Sequence, residues 1–201
     1  MNNLKVNLQN VRSRVESACK KAGRAPSEVT ILPVSKKHPA SRIRDFYQLG
    51  QHAFGENYVQ EALEKQKQLT DLNIEWHFIG PVQSNKTSEL AQHFHWVQSV
   101  DRIKILKRLS NQRPASLTDL NICIQVNIDR EVQKSGIMPE QLEELAQSAF
   151  GMENLRLRGL MAIHQAATAD HDTSDSYRRM HELFLKLNDS GMGLDTFSMG
   201  M

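Results

Sequence analysis

Only two cysteines, Cys19 and Cys123, stand among the 201 residues, too few for a disulfide framework. Cys19 falls on the apolar side of a helical pattern and Cys123 inside a strand-like run. Two reduced, buried thiols fit a reducing compartment, and the cytoplasm is the expected location. No apolar signal segment opens the chain, which begins Met1-Asn2-Asn3-Leu4-Lys5, and no apolar run approaches membrane-spanning length. Charge of one sign is also lacking. Lys+Arg 25 against Asp+Glu 23 leaves a formal charge of +2, and no basic run stands out. Neither nucleic acid nor a membrane is therefore an expected partner. There is no Gly-x-Gly-x-x-Gly, no P-loop and no Gly-x-Ser-x-Gly, the glycine-bearing patterns of dinucleotide, nucleotide and hydrolase sites. The eight histidines show no metal spacing, and His93-Phe94-His95 is a lone His-x-His. No Pro/Gly/Ser-rich linker divides the chain, so 1–201 reads as a single domain.

What is present is a regular alternation. Hydrophobic residues at 39% and charged residues at 24% fit a globular chain long enough for a full core. Leu4, Leu8, Val11, Val15, Ala18 and Ala22 recur at three- and four-residue steps, which predicts an amphipathic helix over 3–22. Strand-like runs follow at 29–34, 52–55, 74–79, 96–100, 121–128, 155–163 and 195–199. Helical patterns lie between them at 40–49, 58–69, 85–93, 102–109, 139–150 and 174–188. Alternation at this spacing argues for βαβ units and a parallel sheet. Seven strand starts are one short of a (β/α)8 barrel, a fold of typically about 250 residues. The polar stretches 129–139 and 165–175 each follow a strand and are expected to be rim loops.

Lys36 is the residue with the most chemical content. It ends the apolar run in Thr30-Ile31-Leu32-Pro33-Val34-Ser35-Lys36, just before Pro39-Ala40-Ser41 opens a helix. A lysine at the end of a buried strand is expected at a site rim, partly stripped of water. Desolvation lowers a lysine's pKa and frees the neutral amine for carbonyl chemistry. That is what a Schiff-base lysine needs, and pyridoxal 5'-phosphate (PLP) is the commonest aldehyde cofactor using one. A solvated lysine that merely ends a strand is the other reading.

Four further segments carry a resemblance. They are Phe54-Gly55-Glu56-Asn57-Tyr58-Val59-Gln60-Glu61, Glu75-Trp76-His77-Phe78-Ile79-Gly80-Pro81-Val82-Gln83-Ser84-Asn85-Lys86, Arg156-Leu157-Arg158-Gly159-Leu160-Met161-Ala162-Ile163, and Phe197-Ser198-Met199-Gly200-Met201. In order and spacing the chain resembles the pyridoxal phosphate homeostasis protein family. The resemblance implies a TIM barrel of the alanine racemase N-terminal-domain type, with PLP held as an aldimine on Lys36. Asn57, after the second strand-like run, hydrogen-bonds the cofactor ring or a neighbouring loop, or caps the helix after it, and His77 lines the site or sits satisfied inside the barrel. Met161 packs against the pyridine face or is plain core. Ser198, Met199 and Gly200 follow the last strand and form part of a phosphate cup. Apart from the resemblance, Lys134 follows the fifth strand-like run and is either a solvated loop lysine or one that reaches the mouth.

The chain departs from the family pattern at Lys37, where relatives usually carry threonine, and at His164, where proline is common and its absence is expected to loosen the loop. Relatives also continue past the position of Met201 with a helix and an Arg-Ile-Gly-Thr strand. The eighth βα unit is thus expected to be missing through truncation, with weaker PLP binding as the consequence. The implied role is intracellular PLP homeostasis by a monomer that holds the cofactor for apo-enzymes without catalytic turnover. A PLP-dependent amino-acid racemase is the alternative. Racemisation normally needs bases on both faces, and Tyr47, Tyr58 and Tyr177 are the only tyrosines. A cofactor-free interaction module is the third.

Overall fold

The computed structural model describes residues 2–164 and 173–200. Six strands form one sheet: β1 (Ala53–Glu56), β2 (Glu75–Phe78), β3 (Trp96–Val100), β4 (Leu120–Gln125), β5 (Leu155–Ile163) and β6 (Thr196–Gly200). They are hydrogen-bonded in chain order, and every neighbouring pair is parallel. Helix α1 (Asn2–Lys21) precedes the sheet; α2 (Ala40–Gln48), α3 (Val59–Gln68), α4 (Thr87–His93), α5 (Ile103–Gln112), α6 (Leu142–Ala149) and α7 (Thr173–Asp189) alternate with the strands. This is an open arc of a TIM-type barrel. Of the expected rim loop at 165–175, residues 165–172 lie outside the described ones, and 173–175 already belong to α7.

The expected first strand is corrected. Among the described residues, segment 29–34 makes one bridge, Val34 with Gly55, and the sheet has six strands rather than seven. Pro33 has no N–H to donate. The Ile31 carbonyl is taken instead by the Gln51 side-chain amide at 3.1 Å, which in turn accepts from Arg12 of α1 at 3.0 Å. The ladder is thus replaced by a side-chain tie to the first helix. The expected strand over 121–128 is also shortened. Ile137 returns to bridge Val126, and the Asn127 N–H donates to the Ile137 carbonyl at 2.8 Å. The apolar stripe of α1 is covered only in part: Leu8 and Cys19 are buried, whereas Val11 is 41% exposed.

Side-chain alternation along the strands separates two cores. Phe54, Trp76, Phe78, Val97, Ile122, Ile124, Leu160 and Ala162 face the helices and join Ile43, Leu90, Leu106, Leu109 and Met180 in the main core. The intervening positions face the barrel interior. There Trp96, Cys123 and Met161 form a separate cluster with Ile79. Burial pushes the Cys123 thiol up to about 12, so it is an inert packing group.

Gly159 sets how closely β5 and β6 approach. A Cβ there would lie 1.7 Å from the Thr196 carbonyl oxygen, which is backbone and cannot swing aside. Gly159→Ala is expected to wedge the two strands apart and to cost roughly 1–3 kcal/mol, in the range of overpacking. Urea unfolding of the two proteins checks this; an unchanged midpoint would contradict the stated approach.

Candidate functional site

The C-terminal ends of the strands carry the candidate site. Val34 bridges Gly55 in parallel, so Lys36 stands two residues past the bridge on its own segment as Asn57 does past β1. The Ile79 N–H, just past the end of β2, donates to the Glu56 carbonyl at 2.9 Å. Gly80 then lies against Asn57: a Cβ on Gly80 would sit 2.2 Å from the Asn57 carbonyl oxygen. Asn57 and Gly80 therefore meet just beyond β1 and β2, and the turn bearing Lys36 begins directly after the bridge that joins its segment to β1.

Lys36 is exposed, which corrects the expectation of a partly dehydrated amine. The reason is local. The His38 N–H donates to the Ser35 carbonyl at 3.0 Å, closing a turn that carries Lys36 off the sheet. The desolvated lysine is a different one. Lys65 of α3 is 5% exposed and its ammonium donates to three oxygens: Glu56 Oε1 at 2.6 Å, the Ser35 carbonyl at 2.7 Å and Glu61 Oε1 at 2.7 Å. Glu56, at the end of β1, is fully buried and also accepts from Ser35 Oγ at 2.6 Å. Glu61 Oε1 accepts the Lys37 N–H at 2.5 Å. Lys37 itself has φ 61°, a left-handed conformation that L residues adopt rarely. Leaving either member of the buried Lys65–Glu56 pair without the other costs about 3–5 kcal/mol.

Asn57 does not cap α3. The N-cap residue is Tyr58, without a side-chain cap bond, and the buried Asn57 Oδ1 has no hydrogen-bond partner among the described residues. A buried acceptor without a donor is costly, so this atom suits a ligand or a bound water.

His77 faces the barrel interior, 7% exposed and stacked on Trp96 with ring centres 5.1 Å apart. Both ring nitrogens are engaged. Gln98 Nε2 lies 2.9 Å from His77 Nδ1, and Ser198 Oγ donates to Gln98 Oε1 at 2.7 Å. An amide nitrogen can only donate, so Nδ1 accepts and the ring proton sits on Nε2, which donates to Glu75 Oε1 at 2.7 Å. Glu75, His77, Gln98 and Ser198 thus form one polar chain through β2, β3 and β6. Hydrogen bonding from His77 is the main cause holding the Glu75 carboxyl below its usual range. Arg158 places its guanidinium 4.7 Å from the Trp96 ring centre and bonds Asp195 and Asn121.

The remaining expected residues are placed as follows. Met161 lies within β5 rather than at its end, 4% exposed in the interior cluster below the rim. Ser198, Met199 and Gly200 belong to β6 itself and do not follow it. Parallel register sets Ser198 beside Met161. The Ser198 hydroxyl faces Gln98, the Met199 side chain packs against the outer core, and Gly200 is exposed. Lys134 is not a free loop lysine: it pairs with Glu131 at 2.5 Å and donates to the Ile163 carbonyl, the last of β5, at 3.4 Å. The loop that His164 was expected to loosen lies outside the described residues, and His164 itself is packed. It is 5% exposed, with its ring centre 4.2 Å from that of Tyr177 in α7. Sequence reasoning missed Glu56, Lys65 and Gln98. The signals were a carboxylate directly after the strand-like run 52–55 and a Glu61–Lys65 pair at i,i+4 spacing.

The model of the alanine racemase N-terminal domain family matches residues 6–201. The chain is 50% identical to the pyridoxal phosphate homeostasis protein of Pseudomonas aeruginosa, covering 100% of this chain and 86% of that protein. It belongs to the pyridoxal phosphate homeostasis protein family. The Escherichia coli K12 member is 44% identical over 100% of this chain and 87% of its own length. Among solved structures, PipY of Synechococcus elongatus with PLP bound is similar at a TM-score of 0.74 and 31% identity, over 93% of this chain and 87% of that one. Alanine racemase of Clostridium difficile, at 12% identity and a TM-score of 0.71, covers 100% of this chain and 50% of its own; it shares the fold.

The Glu61 carboxyl gives a pH prediction. Burial raises its pKa, but the bonds from Lys65 and the Lys37 N–H and the charges of both lysines outweigh that, leaving it below its usual value. A carboxylate depressed in the fold contributes stability that is present above its unfolded pKa of about 4.3 and lost as pH falls through the folded value. The melting-temperature gap between the parent and Glu61→Gln should therefore be open at neutral pH and close in acid below that point. A gap that persists unchanged into strong acid would contradict the assignment.

Proposed function

We propose that this chain binds PLP reversibly on Lys36 and serves intracellular PLP homeostasis without turning over an amino acid. The observation that carries the reading is an unpartnered buried acceptor, Asn57 Oδ1, just past β1, the strand to which the segment leading to the exposed amine of Lys36 is bridged. Membership of the family and the PLP-bound PipY relative support it. The residues present fit the cofactor. When bound, PLP supplies an aldehyde that condenses with a neutral amine, forming a C=N bond and releasing one water.

Each residue has a role in this reading. Lys36 supplies the amine, and solvent at its exposed position takes the proton that the ammonium must lose first. Asn57 Oδ1 accepts from a donor on the ring. Met161 and its apolar neighbours Trp96 and Ile79 form a dry floor. Ser198 reaches a phosphate only when its hydroxyl rotates off Gln98, since a donor cannot serve both acceptors. Met199 and Gly200 contribute backbone rather than side chains. His77 acts indirectly, by orienting Gln98 and through it Ser198. Location in the cytoplasm, a monomeric state and delivery to PLP-dependent apo-enzymes complete the proposal. Among the described residues no helix is long and apolar enough to cross a membrane.

Borohydride reduction of the PLP-loaded chain followed by peptide mapping tests the amine. The label should fall on Lys36, and Lys36→Ala should lose the yellow absorbance while keeping its melting temperature, because an exposed turn residue contributes little packing. Label on Lys37 or Lys134 alone would contradict it. Racemisation of alanine at about 1 per second or faster, a low-end enzyme rate, would favour an enzyme instead.

A further inference from the structure

We propose that Lys65 is a positioning residue: with Glu61 it locks the Ser35–His38 turn in the one conformation that presents Lys36, rather than the adjacent Lys37, to the cofactor. The inference rests on Lys36 being the cofactor-binding amine. Two neighbouring lysines with the same chemistry stand on one exposed turn, so geometry alone can discriminate between them.

The turn could adopt two forms. With Ser35 as its first residue and His38 as its last, Lys37 occupies the third position at φ 61°. Positive φ there defines a type II turn and favours glycine or asparagine; the type I alternative has negative φ and suits lysine better. The two forms differ by a flip of the central peptide between Lys36 and Lys37. That flip would turn the Lys37 N–H away from its acceptor, so the bond to Glu61 Oε1 selects type II against the local preference.

Lys65 holds Glu61 and the start of the turn together. Its ammonium has three N–H bonds and all three are used: one on Glu61, one on the Ser35 carbonyl and one on Glu56. Ser35 is further pinned by its own N–H to the Gly55 carbonyl at 2.9 Å and by its hydroxyl to Glu56. A fully engaged buried ammonium has no free hydrogen-bonding capacity for PLP, so Lys65 acts through the turn alone.

Glu61→Ala is the decisive variant, because Glu61 is partly exposed and its loss leaves the Lys65–Glu56 pair intact. The parent and the variant are titrated with PLP, reduced with borohydride and mapped. The parent should be labelled at Lys36. Glu61→Ala should bind PLP about tenfold more weakly, as expected for one lost charge-assisted hydrogen bond, and its label should spread to Lys37. Glu61→Ala/Lys37→Gly should recover the parent's affinity at Lys36, since glycine takes positive φ without an anchor. Lys65→Met/Glu56→Gln, which removes both buried charges together, should also spread the label. Parent-like affinity with label confined to Lys36 in Glu61→Ala would overturn the proposal, and so would a weakened variant that glycine does not rescue. A parent without label on Lys36 would overturn the Lys36 reading, and this proposal with it.

Discussion

A buried ammonium keeps its proton only if oxygen acceptors replace the water it has lost. Lys65 meets that requirement with one acceptor from β1, one from its own helix and one from the segment that leads to Lys36. The constraint ties three parts of the chain at a single atom. It brings α3 onto β1, it brings the extended segment 29–34 onto the same strand where only one backbone bridge exists, and it fixes the turn beyond. Without it, the segment bearing Lys36 would be held mainly by the Val34–Gly55 bridge and the Gln51 tie. The chemistry of the rim therefore depends on an ion pair on the helix-facing side of the sheet, behind the site.

The barrel interior follows a different logic. Its floor is apolar, built from Trp96, Cys123, Met161 and Ile79, while a single polar chain crosses it from Glu75 to Ser198. Every link in that chain has a defined donor and acceptor, so the His77 tautomer and the Gln98 orientation follow from one another. Met161 and His77 both lie in this interior, buried at 4% and 7% exposure.

The barrel class was legible because strand and helix periods alternate cleanly over 52–163, and β3 and β5 fall where the pattern puts them. The first strand was misread because an apolar run says nothing about Pro33 lacking a donor or about Gln51 intercepting the Ile31 carbonyl. The solvation of Lys36 was misjudged: position at a strand end does not reveal that the chain turns outward there. The neighbourhood of Asn57 was half visible, since Gly80 matters through a close approach to Asn57 that spacing cannot show. Glu56 and Lys65 were hidden because an isolated carboxylate and a helix lysine look like surface residues until they meet. The α1 stripe was read as amphipathic, yet its Val11 is 41% exposed, since a period in sequence does not guarantee a covering partner.

The central claim is that the Lys36 turn is rigid before any ligand arrives, and amide hydrogen exchange in the ligand-free chain tests it most directly. An exposed turn amide ordinarily exchanges at close to the free-peptide rate. The account predicts that the Lys37 N–H, bonded to Glu61, exchanges as slowly as the amides of β1, to which Lys65 couples it. Exchange at the rate of an unprotected loop, with β1 still protected, would show that the turn opens on its own and would contradict the account.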